Sequence, residues 1–170
     1  MTSQPEPWLR GPIAGVDPLV APVLYAFEQA REEMARYTDG LSTEQLWATP
    51  HGFGPVAFHI RHTARSIDRL LTYLQGGQLS DGQMAALGME KAAGATREEL
   101  LEELEGALRA AERVVRSVDP ATLAEAREVG RKRLPTTVIG LLTHMAEHTQ
   151  RHTGQAIVAA RLARTLPSTS

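Results

Sequence analysis

No cysteine occurs among the 170 residues. Disulfides, thiolate metal ligands and a cysteine nucleophile are excluded in one step, and the redox compartment is left open. Aromatic residues are scarce at 5%, whereas Ala, Leu, Arg and Glu are abundant, a balance that favours helices. Basic blocks are few and the net charge is -2, so nothing recommends a nucleic-acid partner. No apolar run approaches the roughly 18 residues a membrane span needs, and no signal-peptide pattern opens the chain. The expectation is a soluble, cytoplasmic protein with no membrane partner. Strand alternation and internal repeats are not evident either.

What is present suits one domain with a sizeable core: 42% apolar and 22% charged residues. Residues 1–15 carry Pro5, Pro7, Pro12, Gly11 and Gly15 and read as an extended N-terminal arm. Trp8 and Leu9 are apolar enough to pack on the body or to cross to a neighbouring copy. Residues 16–165 read as the domain and residues 166–170 as a disordered tail. Asp17-Pro18 predicts a helix start, with Leu19, Val23, Phe27, Ala30, Met34 and Tyr37 at helical spacing and Gly40 as the stop. Pro22 either sits in that helix's first turn or delays its start.

Ser42 with Gln45 is a capping-box pattern for a short element. A second long helix follows over about 55–75, its stripe being Val56, Ile60, Ala64, Ile67, Leu71 and Leu74. The connection 78–95 has room for one short helix near 81–87. Thr96 with Glu99 opens a helix over 97–118, with Leu100, Leu104, Leu108, Ala111 and Val115 inward and the carboxylates Glu98, Glu99, Glu102 and Glu103 on a solvated face. Arg131-Lys132-Arg133 reads as a solvated loop, and Pro135 begins the last helix, 136–164. Four long helices predict an all-α, four-helix bundle.

The six histidines fall in two places: His51, His59 and His62 near the second long helix, and His144, His148 and His152 in the last one. The latter three recur every fourth residue and share a helix face with Leu141, Gln155, Ala159 and Leu162, all within about 40° on a helical wheel. That face is expected to turn to the core, where imidazoles need polar partners or a metal ion. Neutral imidazole is the commonest protein ligand for Zn, Ni or Fe. A His148/His152 pair with a third ring from another helix leaves a position open for water or substrate.

The segments FHIRH, SIDRLLTYL and EHTQRHTGQ, together with LSTEQLW ahead of them, resemble the DinB superfamily of metal-binding four-helix bundles over nearly the whole chain. The resemblance implies that His62, His148 and His152 hold a divalent metal ion, zinc first, with nickel or iron as alternatives. Periodicity alone selects His59 instead, since His62 lies nearly opposite Ile60 on the wheel. His62, Ser66 and Tyr73 nevertheless share a second face that a bundle can bury. On the resemblance, His59 and His144 become outer or cavity residues, and His51 is a loop residue.

His144–His148 also fits H-x-x-E-H, with Glu147 as a peptidase base, but no Asp or Glu follows to complete such a site. A di-iron bundle needs Glu-x-x-His pairs that this chain lacks. The resemblance implies a metal-dependent enzyme of the thiol S-transferase type, acting on a small electrophile with a low-molecular-weight thiol. The alternative is a non-catalytic metal-binding or stress-related bundle whose ion is structural or vestigial. A homodimer is expected.

Overall fold

The structure, a computed structural model, describes residues 4–166. The tail expected at 166–170 therefore lies, except for Leu166, outside the described residues. The long helices are α1 (Ala21–Thr38), α3 (Val56–Leu74), α5 (Arg97–Arg116) and α6 (Val138–Ala163), with short helices α2 (Thr43–Trp47) and α4 (Asp81–Gly88) between them. α1 and α3 each pack against both α5 and α6, which closes the four-helix bundle. No helix among the described residues is long and apolar enough to cross a membrane.

Start signals act where the side chains allow. Ser42, Ser80 and Thr96 each accept from the backbone N–H three residues on, and Gln45, Gln83 and Glu99 reach back to complete three capping boxes. Helix α1 begins later than Asp17-Pro18 predicts. Asp17 accepts from the Leu19 N–H at 2.8 Å and closes a turn, and Pro22 then occupies the first helical turn, where its missing N–H costs nothing. Leu19, expected in the core stripe, is left 63% exposed by that turn.

The N-terminal segment folds back along α1. Pro7–Leu9 forms a 3-10 turn with Pro7 buried, Arg10 pairs with Glu32, and Tyr25 donates to the Gly11 carbonyl at 2.9 Å. In the core, Leu100, Leu104 and Leu108 of α5 meet Phe27, Met34, Ile60, Ile67, Leu142 and Met145. Each fully buried Leu contributes about 1.5–3 kcal/mol over an exposed one.

Two segments depart from the sequence reading. Residues 126–129 and 134–137 form an antiparallel hairpin, β1 and β2, with Ala126 opposite Thr137 and Val129 opposite Leu134. Arg131-Lys132-Arg133 is its exposed tip, as a solvated loop should be. Pro135 therefore ends in a strand, and Thr137 caps α6 by accepting from the Gly140 N–H at 3.1 Å. The second departure is rotational. The buried stripe of α6 runs through Met145, Thr149 and Thr153, one residue (about 100°) round from the histidines. The Thr153 hydroxyl satisfies itself on the Thr149 carbonyl at 2.8 Å, so a small polar residue sits inside without cost to its neighbours. Gln155 is exposed and Leu162 half-buried, against the expected face.

Candidate metal centre

Helix α3 positions one side of the centre. Twelve of its nineteen residues are buried, because it is covered by both α5 and α6, so a single stripe cannot describe it. The Val56, Ile60, Ala64 and Ile67 stripe fills the bundle interior. A second face carries His62, Ser66 and Tyr73, the last two buried, and its His62 meets His148 of α6. On α6, His148 and His152 flank the core stripe at its edge towards α3, half-buried rather than central.

His62, His148 and His152 come together, each offering one ring nitrogen within 4.8 Å of the others. The Nε2 atoms of His62 and His148 are 3.3 Å apart, and the ring centroids of His62 and His152 are 4.4 Å apart. Burial, and less strongly the neighbouring His62, pushes the His148 and His152 imidazoles down to about 4 and about 3. Both are therefore neutral at ordinary pH, as metal ligands must be. The donor set fits a divalent cation: zinc–nitrogen bonds of about 2.0–2.1 Å in tetrahedral geometry separate two nitrogens by roughly 3.3 Å. These three rings are close enough to hold an ion.

The other histidines divide cleanly. His59 is buried and stands outside the triad, its Nδ1 3.0 Å from the Nδ1 of His152. Burial, and then the neighbouring His62, lowers it to about 4. His144 is about half exposed and meets the His148 ring edge to face, with centroids 5.4 Å apart. His51 is exposed on a 3-10 turn (Pro50–Gly52). Glu147, the base that an H-x-x-E-H peptidase would need, is held through both oxygens by Arg151 at 2.7 and 2.6 Å.

A groove of about 370 Å³ lies beside the triad, lined by Phe53, Gly54, His59, Val158 and Ala159, with Arg151 and Gln155 as polar groups. It touches the centre through His59. Gly54 makes room for that ring: a Cβ there would stand 3.2 Å from the His59 Nε2.

One residue of the centre escapes sequence reasoning. Glu90, in the connection after α4, is buried, and its Oε2 lies 2.7 Å from the His62 Nδ1 while its Oε1 accepts from Arg69 at 2.7 Å. A signal existed: Arg61, Arg65 and Arg69 recur every fourth residue on an otherwise amphipathic helix and need partners. Asp81 and Glu90 are the acidic residues of the 78–95 connection. Glu103 is a further correction, since it pairs with Arg65 at 2.6 Å and Arg61 at 3.5 Å instead of only facing solvent.

The protein is similar in fold to a solved conserved protein from Enterococcus faecalis, with a TM-score of 0.70 over 86% of this chain and 98% of that one. Identity there is 15%, so the likeness speaks for the fold alone. No curated protein matches. The sequence pattern of the DinB superfamily matches residues 26–156, a span that contains most of α1 and α6, the whole of α3 and α5, Glu90 and all six histidines. With bundle, histidine cluster and family pattern in agreement, the chain belongs to the DinB superfamily.

Proposed function

We propose that the protein is a metal-dependent enzyme that joins a low-molecular-weight thiol to a small electrophile, with His62, His148 and His152 as ligands of a divalent ion, zinc first. The observation that carries the reading is the groove beside the triad, separated from His152 by the single ring of His59. A fully packed bundle would have favoured a structural ion instead. When bound by three neutral imidazoles, the cation keeps its charge and lowers the pKa of a thiol or water that joins it. The chain has no cysteine of its own, so a nucleophilic sulfur must arrive with the substrate. Phe53, Val158 and Ala159 would hold the apolar part of the electrophile, and His59, neutral at ordinary pH, can accept a proton in the groove. A reducing cytoplasm, where thiols stay free, is the fitting location.

The test is thiol consumption by the zinc-loaded protein with a panel of soluble thiols and a small epoxide or activated alkene. The expected result is acceleration over background that is lost with chelator and in His148→Ala. Stoichiometric zinc without acceleration across the panel would leave only the metal-binding reading. A homodimer belongs to the same proposal, because Trp8 and Leu9 each remain 57% exposed after the N-terminal segment has folded back. Light scattering at high concentration should return twice 18.5 kDa; a monomer mass sinks that part.

A further inference from the structure

The segment 86–92 crosses the outside of α3 over His62, and polar contacts hold it there. Every residue of α4 stays at least partly exposed, so apolar burial does little to fix the strap. Instead the arginines spaced by four along α3 reach it in turn. Arg65 donates to the Ala86 carbonyl and Arg61 to the Ala92 carbonyl, both at 2.5 Å, and Arg69 donates to Glu90. Arg61 also lies over the Trp47 ring at 4.9 Å, and Lys91 over Phe58 at 5.7 Å. Phe58 in turn stacks on His62 with centroids 5.2 Å apart. His62 is thus enclosed between Phe58, the strap and α6.

We propose that Glu90 is a positioning residue for the metal centre: held by the arginine ladder, its carboxylate fixes His62 as the Nδ1–H tautomer and so presents the Nε2 lone pair to the cation. The inference rests on the metal-centre reading above for its purpose, but not for its geometry. Arg69 has donors only, so it requires an acceptor at Oε1. An ionised carboxylate accepts at both oxygens, and the proton in the 2.7 Å contact with His62 then sits on Nδ1. The remaining nitrogen, Nε2, is the one 3.3 Å from the His148 Nε2. A carboxylate on the far nitrogen of a ligating imidazole sets ring orientation and raises its basicity, and losing such a partner costs 10–100-fold in metal affinity.

The experiment uses Glu90→Gln, which keeps the side chain's shape. In that variant Arg69 takes the amide oxygen, leaving the amide NH2 to face His62 and turning Nδ1 into an acceptor. Nitrogen NMR of the metal-free proteins should show His62 as Nδ1–H in the wild type and Nε2–H in Glu90→Gln. Zinc affinity, measured against a chelator, should fall 10–100-fold. A strap with a merely structural role would leave the tautomer unmoved. An Nε2–H tautomer in the wild type, or the same tautomer and affinity in both proteins, overturns the proposal. Should Glu90→Gln fail to fold, Glu90→Ala carries the same comparison, with loss of the Nδ1–H tautomer expected and its retention decisive against. If the wild type takes up no zinc, the metal reading falls, while the metal-free tautomers still decide whether Glu90 positions His62.

Discussion

His148 and His152 differ from His144 and His51 in surroundings more than in sequence context: the first two meet α3 at half-buried positions, and the others face solvent. Replacing His62, His148 or His152 by Ala should abolish stoichiometric zinc binding by calorimetry, whereas His51→Ala and His144→Ala should leave it intact. His59→Ala should weaken it about 10-fold, through the lost contact with His152. If His62→Ala keeps full affinity while His59→Ala loses it, helical periodicity was the better guide to the ligand. The buried rings also set a pH dependence. His59, His148 and His152 titrate near 4, 4 and 3 when folded, against about 6.5 for a free imidazole. Between those values the unfolded chain binds more protons, so this contribution to the metal-free protein's stability is whole above about pH 6.5 and is lost as pH falls towards 4. Denaturant midpoints should therefore drop from pH 7 to pH 5, before carboxylates of the unfolded chain protonate near 4. A flat profile over that range would contradict the burial. Much of the site was legible at this scale, because histidine is rare and its two clusters stand out. The rotation of α6 was not. Two small threonines, of which Thr153 bonds its own helix, fill a core stripe more easily than three imidazoles, and helix periodicity treats a position one residue round as merely polar.

Element by element, the helices were legible where caps and stripes agree, as at Thr96 with Glu99 leading into Leu100, Leu104 and Leu108. The hairpin was not, because its strands are four residues long and the second contains Pro135. Tertiary contacts hold it: Arg127 donates to the Leu74 carbonyl at the end of α3, and the Val138 and Ile139 amides donate to the Glu125 and Leu123 carbonyls. Long-range contacts of this kind leave no local pattern. The strap is a similar case, attached by arginines from a distant helix. Arg65→Ala removes a hydrogen bond to Ala86 and the ion pair with Glu103, together about 1–2 kcal/mol. Amide exchange across 81–92 should accelerate roughly 5- to 30-fold. α5 and α6 should keep their protection. Uniform acceleration through all the helices would show that the strap is part of the global unit.

For the molecule as a whole, anything that binds the folded bundle and not the unfolded chain stabilises it by mass action. Free zinc at 100 times the dissociation constant adds about 2.7 kcal/mol, so the melting temperature should rise by several degrees, and the rise should vanish in His148→Ala. A rise that survives that substitution would place zinc elsewhere. The fold class was readable at this scale because four long amphipathic segments have few other ways to bury their stripes. Periodicity carries no such signal for the contacts that bring α3 beside α6, since His62 and His148 are 86 residues apart in sequence; only the family resemblance joined them. That separation has a further consequence in a chain with no cysteine. An ion held from both helices ties together two distant points of the chain, and it must be released before they can separate. Unlike a disulfide, it comes and goes with the supply of free metal. The rate at which the bundle opens to proteases should then follow metal supply, so that a starved cell would clear this protein faster without any change in its synthesis.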